Sequence, residues 1–226
     1  KETIGSLLAL AFPDRVAKAR AGKAGEFLLE SGRGARLDPA HPFAREKYLA
    51  VAELAGTAAE ARILLAAKLD ESEIERRFSG HIIEATEVAF DETTASVRGR
   101  AVRKLGAITL AERPLPVEPG DAPALALAQG VARLGLDRLP WTADQRQWLD
   151  RVRFMQKLEG DPWPDLSETR LAETAGEWLA PFLERRTALN QITADDLSRA
   201  LRALLPHDLA RRLEKDMPTH WQAPTG

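Results

Sequence analysis

The chain has 226 residues, of which 44% are hydrophobic and 29% are charged, and its formal net charge is -2. This length can form one large domain or two ordinary ones. The charge excludes a uniformly basic nucleic-acid-binding protein but allows a local basic patch. The absence of cysteine excludes disulfides and thiolate metal sites. Because the sequence has no run of about 18 apolar residues and no secretory signal pattern, we expect a cytoplasmic protein with no membrane partner.

The first part of the chain, residues 1–24, is predicted to be helical. Apolar residues recur three and four positions apart between Ile4 and Val16, as one buried stripe of a helix requires. Pro13 interrupts the stripe, so the pattern predicts one helix and then a second, short one. These helices have little to pack against within the segment. We therefore interpret residues 1–24 as the end of a preceding helical domain, and the chain as a piece of a larger protein.

Residues 25–117 are predicted to form a small β-barrel of the oligonucleotide-binding (OB) type. Strand-like runs separated by turn signals begin after Gly25, and a short acidic helix begins at Asp70, where Glu73 completes a capping box. Runs on both sides of this helix fit an OB-like barrel, whose helix lies between the third and fourth strands. The predicted strands cover residues 26–30, 35–37, 48–54, 61–66, 87–90, 96–100 and 105–110.

Residues 118–226 are predicted to form a mostly helical C-terminal domain. The strand-like runs stop before this segment, and all five tryptophans of the chain lie in it. Helix-start signals occur at Thr142, Ser167 and Thr193. The predicted fold class is therefore α+β, with the end of a helical domain, an OB-like β-barrel and a mostly α-helical C-terminal domain.

Charge is unevenly distributed in and around the predicted barrel. Residues 70–92 hold eight acids and two arginines, whereas residues 95–111 hold four basic residues and no acid. Arginine suits phosphate because its fork can make bidentate contacts, and the release of counterions favours binding. The alternative is a solvated strand face whose arginines pair with the acidic helix. The candidate nucleic-acid-binding residues are Lys18, Arg20, Lys23, Arg33, Arg36, Arg98, Arg100, Arg103 and Lys104.

Aromatic residues that could stack on bases are few in this segment. Phe27 and Phe90 lie in apolar runs and are predicted to be buried, which leaves Tyr48 and Phe43 as candidates for exposed stacking platforms. We therefore expect nucleic acid to be bound mainly through its backbone, with little sequence specificity.

The sequence contains no pattern that predicts catalysis. A phosphate-binding loop needs the pattern Gly-x-x-x-x-Gly-Lys-Ser/Thr, but Ala17 and Ala24 stand where its first glycine and its hydroxyl residue would be. The four histidines are isolated in sequence, and no carboxylate pair stands out as a general acid and base. We therefore assign no catalytic residue, metal site or cofactor to this chain, and its function must depend on a binding surface.

Several short runs spread over nearly the whole chain carry a family resemblance. They cover residues 7–17, 32–37, 105–107, 112–115, 139–142, 178–183, 203–206 and 218–220. Together they resemble the C-terminal part of HrpB-type ATP-dependent helicases, which are bacterial members of the DEAH/RHA superfamily.

The resemblance implies an accessory region of a cytosolic RNA helicase. Residues 1–24 would then end the helical ratchet domain, and the motor, with its ATP and Mg²⁺, would precede Lys1, so that this region alone is not catalytic. The implied role is to position single-stranded RNA, or single-stranded DNA, for motor domains in the same chain, with a protein as a further partner. The alternative is a protein-interaction or scaffold module that docks a partner or the motor through its helical half.

Overall fold

The chain divides into two compact units in the computed structural model, which describes residues 2–57 and 61–219. Unit 1 comprises Lys1–Glu87 and Arg100–Arg113, and unit 2 comprises Val88–Gly99 and Pro114–Gly226.

Unit 1 contains a closed five-stranded barrel preceded by helix α1 (Ile4–Ala11). Its strands follow the spatial order β1-β2-β3-β5-β4, and β1 pairs with β4 to close the barrel. Strands β3 and β5 are parallel, whereas the other pairs are antiparallel. The strands are β1 (Val16–Ala19), β2 (Glu26–Leu29), β3 (Gly34–Arg36), β4 (Tyr48–Gly56) and β5 (Ala61–Lys68).

Two apolar clusters hold unit 1 together. Alternate residues of the strands fill the barrel interior, including Phe27, Leu49 and Ile63, as the period-two geometry of a strand requires. A second cluster joins α1 to helix α2 (Glu71–Arg77) and includes the buried side chain of Ile74. The barrel and the two helices therefore share one compact unit.

Two predictions for this unit are wrong. Residues 16–19 were predicted as a second short helix but form β1, because backbone pairing with β2 and β4 outweighs the local helical spacing. The acidic helix α2 was predicted between the third and fourth barrel strands but follows all five of them. A short 3₁₀ turn, Pro42–Arg45, lies between β3 and β4 instead.

A three-stranded sheet with the order β6-β7-β8 follows α2 and contributes residues to both units. Its strands are β6 (Ile82–Asp91), β7 (Ser96–Leu105) and β8 (Ile108–Leu115). The predicted hairpin from residues 87–90 to 96–100 is confirmed. The single strand predicted over residues 105–110 is wrong, because the chain turns at Gly106, whose φ of 52° is left-handed.

Unit 2 is mostly helical. The side chains of Thr142, Ser167 and Thr193 each accept a hydrogen bond from the first turn of a helix, which confirms the predicted start signals. Its core includes the buried indoles of Trp163 and Trp178. The α+β class, with a barrel followed by a mostly helical part, is thus confirmed. The helices are α3 (Asp121–Leu134), α4 (Ala143–Glu159), α5 (Glu168–Glu173), α6 (Ala175–Trp178), α7 (Ala194–Leu204) and α8 (His207–Asp216).

Gly5 allows α1 to approach the barrel closely, and its replacement should be costly. A Cβ atom at Gly5 would lie 1.9 Å from the backbone carbonyl oxygen of Lys68, so Gly5→Ala must displace the helix. We expect it to lower the free energy of unfolding of unit 1 by about 1–3 kcal/mol. Gly80→Ala is the matched control, since nothing lies within 4 Å of its Cβ position. Equal effects in chemical denaturation of the two variants would contradict this account.

Candidate nucleic-acid interface

Three arginines surround strand β3 on the surface of the barrel: Arg20 just beyond β1, Arg36 in β3 and Arg62 in β5. All three are exposed. We call them the barrel arginine cluster. They line two clefts that share Arg36, a smaller one of about 160 Å³ that includes Arg20 and a larger one of about 620 Å³ that includes Arg62.

The strand pairing explains why these arginines lie together. Arg36 and Arg62 are directly opposite each other in the parallel pair β3–β5. The Cβ position of Gly34 lies 3.5 Å from Nη2 of Arg20, so the guanidinium of Arg20 lies beside β3. Since Gly34 and Arg36 are two residues apart in one strand, they lie on the same face. Like charges on directly opposed strand positions repel each other, and an anion between them would relieve that repulsion.

The barrel arginine cluster forms no ion pair with an acid in the part of the chain that the structure describes. Within residues 2–57 and 61–219, no carboxylate oxygen lies within 4.0 Å of a guanidinium nitrogen of Arg20, Arg36 or Arg62. The acid that lines both clefts is Glu26, which lies opposite Arg36 in the β2–β3 pair. Its carboxylate is 3.5 Å from the ammonium of Lys23. Asp38 lines the larger cleft only. Over the two clefts together, three arginines therefore face two carboxylates.

Two other candidate residues of the barrel, Lys18 and Arg33, donate hydrogen bonds to backbone carbonyl groups. Lys18 is partly buried in β1, and its ammonium donates a hydrogen bond to the backbone carbonyl of Thr109, so it has a structural partner. Arg33 is exposed, and its guanidinium donates to the carbonyl of Thr57 at 3.4 Å. Of these two residues, Arg33 is the more accessible to a ligand.

The basic residues of the second sheet, by contrast, pair with carboxylates. Arg103 donates two hydrogen bonds to the carboxylate of Glu75 in α2, at 2.9 and 2.8 Å, and also lies 3.3 Å from Glu84. The hydrogen bond with Glu75 is the main reason that the pKa of Arg103 is raised. This is the arrangement of the alternative interpretation, in which strand arginines pair with the acidic helix.

The neighbouring cations have acidic partners too. Arg100 lies 3.1 Å from Glu87 and 2.9 Å from Glu112, and Lys104 donates a hydrogen bond to Glu87. The bond from Lys104 is the main reason that the pKa of Glu87 is lowered. In unit 2, Arg98 lies 3.7 Å from Asp91. A phosphate would have to displace these carboxylates, so the second sheet is the poorer anion site.

Aromatic stacking platforms are scarce on the barrel. Phe27 is fully buried, as predicted, and Tyr48 is also buried, so the expectation of an exposed Tyr48 is wrong. Tyr48 begins β4, pairs with Lys18 of β1 and belongs to the apolar cluster that contains Ile74 of α2. Phe43 is half-buried, with its ring edge-to-face against His41 at 5.3 Å. The surface therefore offers charge for a nucleic-acid backbone and little for its bases.

Sequence reasoning did not identify Arg62. Its neighbours Ala61 and Ile63 are buried while Arg62 is exposed, so strand alternation could have placed it on the outer surface. No local pattern indicates that β5 lies parallel to β3, and that pairing brings Arg62 to Arg36.

In the part of the chain that the structure describes, no group of three or more histidine or carboxylate side chains could hold a metal ion. No helix in the same part combines the length and the apolar character needed to cross a membrane.

Comparison with known proteins identifies the class of this chain. A family model described as "ATP-dependent helicase C-terminal" matches residues 178–226. The chain is 32% identical over 226 residues to the protein named "ATP-dependent RNA helicase HrpB" of Escherichia coli K12, and the match covers 99% of this chain and 28% of that protein.

Solved structures agree with this match. A crystal structure of the E. coli DExH-box NTPase HrpB aligns with 99% of this chain and 28% of its own chain, at a TM-score of 0.59 and 31% identity. A second, of the E. coli DEAH/RHA helicase HrpB, aligns over the same shares at a TM-score of 0.58 and 28% identity. These matches define a C-terminal region of an ATP-dependent helicase. The chain belongs to the HrpB family and spans about 28% of the length of these relatives.

Proposed function

We propose that this region positions single-stranded nucleic acid, above all RNA, for the ATP-hydrolysing motor of an HrpB-type helicase in the cytoplasm. One observation supports this most directly: the barrel arginine cluster has no carboxylate partner among the described residues, whereas the cations of the second sheet do. We propose that the barrel serves as an OB-like binding surface.

The physical basis is the attraction between arginine and phosphate. An unpaired guanidinium can donate two parallel hydrogen bonds to one phosphate, and each contact releases counterions from the nucleic acid. The net charge of -2 does not oppose this, because the potential that a ligand meets is set by nearby charges. Since the barrel offers little aromatic surface, binding should tolerate many sequences.

The ATP-hydrolysing motor in this proposal is inferred from the E. coli relative. The E. coli relative is named an ATP-dependent RNA helicase, and this chain corresponds to 28% of it. Helix α1 directs Gly5 and Ala9 into unit 1 and exposes Ile4, Leu7 and Leu10, with Ile4 74% exposed. We propose that this apolar row contacts other domains of the same helicase, since exposed apolar rows favour an interface.

Binding of RNA to the 226-residue chain tests the proposal. We expect a labelled single strand to bind more tightly at low salt than at high salt. The triple variant Arg20→Gln, Arg36→Gln, Arg62→Gln should weaken binding by about tenfold or more, because charge-assisted hydrogen bonds are lost. The control Arg98→Gln, Arg100→Gln should change affinity by less than about twofold, since both side chains already pair with acids.

Fluorescence anisotropy at two salt concentrations, with single-stranded and duplex RNA, provides the measurement. Absence of binding to either RNA would refute the proposed function. Equal losses in the triple variant and the control would place the site outside the barrel arginine cluster.

A second candidate function rests on unit 2, which could serve as a protein-docking module. Phe154 and Leu158 lie one turn apart on α4 and are 53% and 66% exposed. This function predicts that Phe154→Ser with Leu158→Ser abolishes co-sedimentation with the remaining part of the helicase, expressed separately. The nucleic-acid proposal predicts that the same variant keeps its affinity for RNA.

A further inference from the structure

We infer that the barrel holds two successive phosphates of one strand and that Arg36 contacts both of them. This inference rests on the proposed function and assigns its site to three side chains. Arg20 and Arg36 would hold one phosphate in the smaller cleft, and Arg36 and Arg62 would hold the next in the larger cleft.

The lining of the two clefts is the first argument. Arg36 lines both clefts, whereas Arg20 lines the smaller and Arg62 the larger. The clefts also share Glu26 and Ala61, so they are neighbours on one surface. The smaller cleft, of about 160 Å³, has room for one phosphate group between Arg20 and Arg36.

The strand register is the second argument. Arg36 and Arg62 occupy opposed positions on paired strands, about 4.8 Å apart in the pairing direction. Two guanidinium groups so placed can each direct a fork at one phosphate between them. Arg20 approaches β3 from the side of β1 and β2, opposite β5, and its guanidinium lies beside Gly34 on the same face of β3 as Arg36. The order Arg20, Arg36, Arg62 thus defines a path across β3.

The negative charge of Glu26 gives a further test of the proposed phosphate sites. Its carboxylate lines both clefts and lies opposite Arg36 in the strand register. The carboxylate of Glu26 would therefore repel both phosphates. It also forms an ion pair with Lys23, whose positive charge is then less available to a phosphate. Glu26→Gln should consequently tighten binding of a single strand, in contrast to every arginine substitution in the cluster.

The affinities of the single variants distinguish a shared arginine from three independent ones, and the salt dependence of binding shows whether phosphates are contacted. Each phosphate contact contributes about 0.7 to the slope of log affinity against log salt concentration for a single strand. The two phosphates together contribute about 1.4, so each single arginine variant should reduce the slope by at most about 0.7. Arg36→Gln should weaken binding more than Arg20→Gln or Arg62→Gln, because it removes a charge-assisted contact to each of the two phosphates. Arg36→Lys should keep most of the slope but lower the affinity, because an ammonium lacks the bidentate fork.

The experiment uses the 226-residue chain and a fluorescein-labelled ten-nucleotide oligouridylate over a series of salt concentrations. Arg45→Gln is the matched control, since Arg45 is an exposed arginine in the turn between β3 and β4 that lines neither cleft. Its slope should equal that of the unchanged chain. Thermal unfolding monitored by circular dichroism confirms that each variant is folded.

The outcomes separate the inference from the proposed function. Equal losses of affinity in Arg36→Gln, Arg20→Gln and Arg62→Gln would overturn the shared contact, as would weaker binding by Glu26→Gln. If the unchanged chain binds and none of the three arginine variants alters the slope, the site is elsewhere and the proposed function stands. If the unchanged chain does not bind, the proposed function itself fails.

Discussion

Asp196→Ala should lower the free energy of unfolding of unit 2 by about 3 kcal/mol, the lower end of the range for breaking a buried ion pair. Asp196 is only 4% exposed at the start of α7. Its carboxylate accepts hydrogen bonds from Nε of Arg186 at 3.0 Å and from the backbone N–H of Thr193 at 2.9 Å. Alanine leaves both donors unpaired. The lower end applies because the side chain of Arg186 remains 32% exposed and can be hydrated.

Tryptophan fluorescence in a denaturant titration measures this effect, since all five tryptophans belong to unit 2. Asp195→Ala is the matched control. Asp195 is the exposed neighbour in the same helical turn, and its loss should cost less than about 1 kcal/mol through the helix dipole. Similar losses in the two variants would show that charge near the helix start matters and that the buried pair does not.

The stabilisation by Asp196 should also depend on pH. Burial opposes its ionisation, but the hydrogen bonds from Arg186 and Thr193 outweigh burial, so the pKa of Asp196 is lowered. A carboxyl whose folded-state pKa is lowered contributes its stability above the ordinary aspartate range and loses it as pH falls through the lowered pKa. The difference between the unchanged chain and Asp196→Ala should therefore shrink in acid. A difference that is constant between neutral and strongly acidic solution would contradict this mechanism.

Trp178→Ala should cost about 3–5 kcal/mol, the range for truncating a large buried aromatic side chain. The residue is 4% exposed in the core of unit 2, and its indole N–H donates to the backbone carbonyl of Leu171 at 2.8 Å. Alanine would leave a cavity and an unpaired buried carbonyl group. Trp178→Phe should cost less, about 1–3 kcal/mol, because most of the packing remains while the hydrogen bond is lost.

Far-ultraviolet circular dichroism during chemical denaturation measures these losses without relying on the substituted tryptophan. Trp148→Ala is the control, because Trp148 is half-buried at the edge of the same cluster and should lose less apolar contact. If Trp148→Ala costs as much as Trp178→Ala, burial of Trp178 does not account for its contribution.

Local signals in the sequence predicted much of the helical half. The starts of α4 and α7 at Thr142 and Thr193 depend on hydrogen bonds that span three residues, and such contacts are visible in a short window of sequence. The capping box at Asp70 and Glu73 was predicted for the same reason. The resemblance to HrpB-type helicases could also be recognised from the sequence, since the motifs that carry it are short continuous runs of residues.

Predictions that depended on distant pairing were less successful. Val16 and Ala17 have helical spacing with the residues before them, yet they pair with β2 and β4 and become barrel strand β1. The predicted position of α2 was wrong because residues 16–19 supply the first of five barrel strands, all of which precede α2, and β5 joins the barrel through its parallel pair with β3. Pairing energy between strands that are far apart in the chain does not influence the local period of apolar residues.

The sequence by itself determined the α+β class, the helix starts, the resemblance to HrpB-type helicases and the lack of a phosphate-binding loop, because each of these depends on composition or on neighbouring residues. Only the tertiary structure decided which cations are available to a ligand. Arg103 is occupied by Glu75 of α2, whereas Arg36 and Arg62 meet across two paired strands. Ion pairs and strand registers join residues that are distant in the chain, so their partners follow from the fold and not from the local sequence.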